Sequence, residues 1–308
     1  MRKPLIAAAL LIVSLAACGG SKGSYEAATP TPAPEPATPT PTPEPVPPAT
    51  PEPARCNSHA ALCERRFNEV AFATTHNAFA NDQDGFIGPN QNFAVPRQLA
   101  DGIRALMLDV YVLDGVVTLC HGICDLGSRP LKDTLIEIRD FLDANPREIV
   151  SIIFESYVDG EIVASVFDDA DLTRLAHTQV AGGPWPTLAE MIDTDSRLVV
   201  FTDSGALARP WYLGVWDHAF ETHYSWGAPE DFDCAPNRGN PANPLFILNH
   251  FLTDTFGSPD FAEAVNYNPL LGDRAEECRV ANTALPNFVT VDFYDIGDVI
   301  EVVADLNG

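Results

Sequence analysis

The sequence predicts an α/β fold of the TIM (β/α)8 type, irregular or incompletely closed, over residues 55–308. Three observations point there. Short apolar runs alternate with longer amphipathic stretches, the rhythm of parallel β/α units. The region has about the 250 residues that such barrels typically use. Several apolar runs end in a residue capable of acid, base or ligand chemistry, and in a barrel such ends converge on one mouth however far apart they lie in sequence. With 46% hydrophobic and 20% charged residues the chain can bury a sizeable core, so disorder throughout is excluded.

Taken in order, the chain opens with Arg2 and Lys3 and an apolar run from Leu5 to Ala17, the pattern of an export signal over residues 1–17. That run falls well short of the roughly 20 residues that span a bilayer. Leu15-Ala16-Ala17-Cys18 resembles the bacterial lipoprotein cleavage box, which makes Cys18 the expected lipidation site and the membrane a partner through an N-terminal lipid. Gly19 stands where an acidic residue would resemble an inner-membrane retention signal, so an exported bacterial lipoprotein at the outer membrane or cell surface is expected. Residues 18–54 carry the lipid-attachment cysteine and a stalk. Between Ala28 and Pro53 this stalk mixes Thr, Pro, Ala and Glu without apolar periodicity, a composition that favours extended polyproline II structure.

Within the barrel, strands are expected at Val70 to Thr75, Ala105 to Tyr111, Val116 to Leu119, Ile149 to Phe154, Leu198 to Thr202, Leu245 to Leu248 and Phe288 to Val291, with a weaker eighth near Ala219 to Tyr224. Leu131, Leu135, Ile138 and Leu142 have the spacing of a helix lying on a sheet, and Val299 to Leu306 would close the ring. Beyond Cys18, the cysteine spacing invites the local pairs 56 with 63 and 120 with 124, leaving 234 with 278. Cys120-His121-x-x-Cys124 is also half of a zinc-site pattern, without a second ligand pair at suitable spacing. The net charge of −25 argues against a nucleic-acid partner, and a phosphate ligand would have to be held locally.

The strand ends carry the chemistry. Thr74-Thr75-His76-Asn77, Gln98-Leu99-Ala100-Asp101-Gly102-Ile103-Arg104, Leu108-Asp109-Val110-Tyr111, Leu119-Cys120-His121-Gly122 and Glu148-Ile149-Val150-Ser151-Ile152-Ile153-Phe154-Glu155 resemble, in that order, the X-domain of phosphatidylinositol-specific phospholipase C. Trp185-Pro186-Thr187, Arg197 to Thr202 and Pro286 to Tyr294 look like the exported X-domain-like proteins of plants, fungi and bacteria. The resemblance extends over essentially all of residues 56–308.

That resemblance implies a phosphoric diester hydrolase or lyase in which the inositol 2-hydroxyl attacks phosphorus, releasing diacylglycerol and an inositol cyclic phosphate. Two proton carriers are needed, and histidine serves either role near neutrality. By resemblance His76 is the base and His121 the acid, with Asp292 orienting His76. Asn77, Asp109 and Glu155 match oxygen ligands of the calcium-dependent members, and hard oxygen donors suit Ca²⁺. Asp109 stands where some secreted bacterial members place an arginine. Met107 departs from the pattern, since calcium-dependent members offer a further carboxylate there. His250 and Tyr294 are expected substrate contacts at the rim; Arg104 is placed with them as a phosphate contact or, the reading its early position in the second strand favours, as a brace for that strand. The other readings are a glycerophosphodiesterase- or sphingomyelinase D-like phosphodiesterase and a non-catalytic, surface-displayed lipid- or glycan-binding barrel. The sequence lacks a Gly-x-x-x-x-Gly-Lys loop, a Gly-x-Gly-x-x-Gly turn, a Gly-x-Ser-x-Gly elbow and a His-Glu-x-x-His helix.

Overall fold

The structure is a computed structural model and describes residues 54–308 except Leu207 and Thr255; the export signal, Cys18 and the stalk lie outside the described residues. Its strands are β1 (Phe72–Thr75), β2 (Ala105–Leu113), β3 (Val116–Leu119), β4 (Arg129–Pro130), β5 (Val150–Ser156), β6 (Leu198–Thr202), β7 (Tyr212–Gly214), β8 (Ala219–Thr222), β9 (Pro236–Gly239), β10 (Leu245–Asn249) and β11 (Phe288–Val291). The helices are α1 (Val95–Ala100), α2 (Leu131–Ala144), α3 (Gly160–Asp169), α4 (Leu188–Asp193), α5 (Val215–His218), α6 (Pro259–Val265), α7 (Leu270–Asn282) and α8 (Val299–Asn307). Parallel pairing runs β7-β6-β5-β2-β1-β11-β10-β8, a curled sheet of barrel strands that stays open between β7 and β8. The incompletely closed barrel is therefore the observed fold.

One expected element differs. Val116 to Leu119 is not a barrel strand but the return arm of a hairpin, pairing antiparallel with β2 from Leu113↔Val116 to Val110↔Leu119. Asp114 and Gly115 both take positive φ, the backbone that a two-residue hairpin turn with right-handed strand twist demands. The vacant barrel position is filled by β7, a strand of three residues that is too short to leave a periodic signal. The segment after β11 is helix α8, whose terminal Asn307 exchanges two hydrogen bonds with the backbone of Ala71, at 2.9 and 3.0 Å, and so ties the last element to the first strand.

Alternation along each strand separates two cores. Leu106, Leu108 and Val110 of β2, Ile152 and Phe154 of β5, and Phe246 and Leu248 of β10 face the helices, where α2 presents Leu131, Leu135, Ile138 and Leu142. The alternate residues Phe72, Ala105, Ile153, Val199, Phe201, Ile247 and Phe288 fill the barrel, closed at its base by Phe67 stacked 4.8 Å from Trp185. Because side chains alternate with period two, the inward register continues at the C-terminal ends to His76, Asp109, Glu155, Asp203, Glu221, Asn249 and Asp292. Disulfides join Cys56 to Cys63, Cys120 to Cys124 and Cys234 to Cys278, the three expected pairs.

Candidate active site

At the C-terminal mouth His76 is held from two sides. Its Nδ1 lies 2.9 Å from Asp292 Oδ1, and its ring stacks on Phe251 with centroids 4.0 Å apart. The other Asp292 oxygen accepts from Asn90 Nδ2 at 3.1 Å, and Asn90 Oδ1 accepts from Asn77 Nδ2 at 3.2 Å, so a relay of amides fixes the carboxylate that fixes the ring. Burial by itself would lower the His76 pKa; the Asp292 carboxylate, helped by Asp109 and Glu155, outweighs it and the net shift is upward.

His121 follows β3 on a loop closed by the Cys120–Cys124 disulfide. Its pKa is lowered, by burial and then by the positive charge of His76. His76, His121 and Asp292 line one space at the mouth, which adjoins a deeper cavity of about 80 Å³ lined by His76, Asn77, Asp109 and Glu155. Asp109 and Glu155 are register partners across β2 and β5. Asp109 is buried without a hydrogen bond to any described residue, and burial followed by repulsion from Glu155 pushes its carboxyl up to about 8. The Tyr157 hydroxyl donates to Glu155.

None of Arg104, His250 and Tyr294 lines the mouth, and Arg104 takes the bracing role. Arg104 sits at the opposite end of the barrel, donating to Glu148 at 2.7 Å and to the carbonyls of Leu99 and Ile103, so it braces the start of β2. His250 is fully buried on the helix side. Its Nδ1 accepts from Arg274 Nη1 at 3.0 Å and its Nε2 donates to the Val265 carbonyl at 2.9 Å, and burial followed by the Arg274 charge lowers its pKa to about 3. Tyr294 is buried and donates to Asp101 at 2.8 Å.

A family profile described as PI-PLC X 1 matches residues 62–307. The chain belongs to the PI-PLC X domain family. A PI-PLC X domain-containing protein of the fungus Arthroderma benhamiae is 33% identical, over 82% of this chain and 89% of its own length. A protein of the same fungus named as an uncharacterized secreted protein is 29% identical over 82% of this chain, which spans 64% of it. Among solved structures, phosphatidylinositol-specific phospholipase C from Listeria monocytogenes superposes with a TM-score of 0.56 over 80% of this chain and 94% of that one; at 15% identity this likeness shows the fold.

The X-domain's cavity also holds residues the sequence reading passed over. Arg238 of β9 is the one Lys or Arg side chain among the described residues lining the deep cavity. Its guanidinium lies 4.6 Å from the Trp216 ring centroid and 4.4 Å from that of Tyr224, and its Nε donates to the buried Glu221. Its Nη groups have no hydrogen-bond partner among the described residues, and Glu155 and Asp203 are within electrostatic reach. Glu221 lies in the inward register of the weak eighth strand, so alternation could have found it. Arg238, Asn90 and Phe251 carry no sequence signal, because each reaches the mouth from a connection outside the barrel strands.

Residues that could hold a divalent cation are Asn77, Asp109 and Glu155, which line the same cavity, with Met107 beside them offering no oxygen. Among the described residues no three His, Cys, Asp or Glu side chains are grouped for a metal, so such a site needs the Asn77 amide oxygen. The buried, unpartnered Asp109 carboxylate beside Glu155 suits a hard cation.

Proposed function

We propose that this chain cleaves an inositol phospholipid at its phosphodiester, giving diacylglycerol and an inositol cyclic phosphate. His76 takes the proton of the inositol 2-hydroxyl as its oxygen bonds to phosphorus. The bond from phosphorus to the glycerol oxygen breaks, and His121 protonates that leaving alkoxide. Asp292 holds the His76 tautomer and steadies the imidazolium as it forms. The observation carrying this reading is that two histidines far apart in sequence, one braced by a carboxylate, line a single space at the barrel mouth.

A Ca²⁺ held by Asn77, Asp109 and Glu155 would supply positive charge to the phosphoryl oxygens. Arg238 adds fixed positive charge to an otherwise acidic cavity. The lipid nature of the substrate is supported by the surface: of thirteen exposed large hydrophobic side chains among the described residues, Ile87, Ile123, Tyr157, Tyr224 and Phe256 are on segments that follow β1, β3, β5, β8 and β10 at the mouth, and Val112, Leu113 and Val116 are on the β2–β3 hairpin that runs on past Asp109. Export is supported by the disulfides and by the fungal relative's name. Attachment through Cys18 and placement at a bacterial outer membrane rest on residues 15–19, while both fungal relatives are eukaryotic.

His76→Ala and His121→Ala should each lower release of cyclic inositol phosphate from radiolabelled phosphatidylinositol by about 100-fold or more, the scale of general acid–base catalysis. Parental activity in either variant would refute the assignment. Chelator should suppress turnover and added Ca²⁺ restore it; undiminished turnover in chelator would refute the metal.

A further inference from the structure

His76 and His121 are positioned by different means. The His76 ring is gripped by Asp292 and Phe251. The His121 ring has no hydrogen-bond partner among the described residues, so its backbone must place it. That backbone leaves the sheet at Leu119, paired with Val110 and Arg129, and returns at Arg129. Between these points Cys120, fully buried at the end of β3, is bonded to Cys124, so His121 is the first residue inside a closed ring.

The far side of the ring is anchored as well. Cys124 opens a short 3-10 turn, Cys124–Leu126, whose Leu126 carbonyl accepts from the Ile87 amide at 2.7 Å. The next residue, Gly127, lies against the Phe86 ring so closely that a Cβ would come within 2.3 Å of it. Inside the ring Gly122 takes φ +70, the Ile123 amide donates to the His121 carbonyl at 2.7 Å, and the Tyr111 hydroxyl lies beside the Gly122 backbone. Without the sulfur bridge the His121-Gly122-Ile123 tip would keep fixed ends but be held in its middle by little more than the Tyr111 hydroxyl, and surface loops of this kind are where chains move most.

We infer that the Cys120–Cys124 disulfide is the positioning device for the proton donor, holding His121 over the leaving oxygen in place of a side-chain partner. The inference rests on His121 being the acid. It has a consequence for where the protein works. Disulfides form in oxidising compartments, so a copy still in a reducing compartment keeps its base in place but not its acid, and full turnover arrives only after export.

The test uses leaving-group chemistry. A glycerol alkoxide needs a proton as it departs, whereas a nitrophenolate does not, so a misplaced acid slows only the first. Cys120→Ala/Cys124→Ala is compared with Cys124→Ala, which breaks the bridge while leaving the buried Cys120 side chain in the core. Cys56→Ala/Cys63→Ala serves as a control that removes a bridge at the opposite end of the barrel. On phosphatidylinositol in detergent micelles, both Cys124 variants should lose about tenfold to 100-fold in kcat with KM within about twofold, the scale of a displaced catalytic group. On an inositol phosphodiester with a nitrophenol leaving group they should lose less than about threefold, matching His121→Ala. The control should keep the parental rate on both substrates per folded molecule. Equal losses on both substrates, or no loss on either, would overturn the inference. If His121→Ala itself fails to distinguish the substrates, the acid assignment falls, and that result is separable because it does not involve the cysteines.

Discussion

A histidine at a barrel mouth can serve as a base only when something fixes its ring and its tautomer, and for the proposed base His76 the Asp292 carboxylate and the stacked Phe251 ring meet that requirement. His76, Asp109, Glu155 and Asp292 were legible in the sequence because each ends an apolar run and falls in the motifs that resemble the family, and in the fold strand alternation gives them the parity of the barrel-filling residues. The same rule explains the failures. His250 is one step past the inward Asn249, so it points to the helices and meets Arg274. Arg104 precedes β2 and therefore lies at the opposite end of the barrel, where it braces the strand rather than touching phosphate. Tyr294 shares the parity of Asp292, but β11 ends at Val291 and Phe293 takes φ +45, which turns the chain away. Arg238 gives the prediction at this scale. As the lone guanidinium facing a cavity with Asp109, Glu155 and Glu221, its replacement in Arg238→Ala should lower kcat/KM on phosphatidylinositol by about tenfold to 100-fold, the 1.4 to 2.7 kcal/mol of a charge-assisted hydrogen bond or two, with Arg238→Lys only partly restoring it. Unchanged steady-state kinetics for Arg238→Ala would remove it from the site.

At the scale of elements, β2 carries two functions. Its first half is a barrel strand ending at Asp109, and its second half runs on into the hairpin with β3, lifting Val112, Leu113 and Val116 above the mouth. A period-two pattern is the same whether its neighbour is parallel or antiparallel, which is why β3 read as a barrel strand; the Asp114-Gly115 turn was the signal that discriminated. These valines are exposed on a protein of net charge −25, so attraction to an anionic surface cannot account for them, whereas insertion into lipid can. Val112→Asp/Val116→Asp should weaken sedimentation with phosphatidylcholine vesicles containing phosphatidylinositol by about tenfold or more, from the roughly 1.5 kcal/mol or more lost per apolar side chain. Turnover of a water-soluble inositol phosphodiester should be unaffected. Vesicle binding equal to that of the parent would separate the hairpin from lipid contact.

At the scale of the whole molecule, the buried pair His250 and Arg274 joins β10 to α7, with the Arg274 guanidinium also 4.0 Å from the Phe232 ring centroid and Nη1 2.8 Å from the Asn249 carbonyl. His250 stays neutral in the fold down to about pH 3 but titrates near 6.5 when unfolded. Above pH 6.5 neither state binds the proton and the group is silent. Between 6.5 and 3 only the unfolded chain takes it up, so stability falls as the pH is lowered through that window, by on the order of 2 kcal/mol at pH 5. Calorimetric melting from pH 7 to pH 4 should drop more steeply for the parent than for His250→Gln, which keeps one donor and one acceptor. Parallel curves would show that the pair does not set the acid sensitivity.

The succession of most strands, the polar residues that end them and the two local cysteine pairs, with the third pair left over, follow from short-range pattern, because apolar periodicity and chain proximity are properties of the sequence itself, while the ordered motifs of the family resemblance singled out His76, His121 and Asp292. Which strand fills the gap at β7, which way β3 runs, and which cation enters the cavity from β9 were decided only when the sheet curled. Those depend on contacts between residues that no local period relates, and a connection outside the repeating units reaches the mouth only through the tertiary path of the chain.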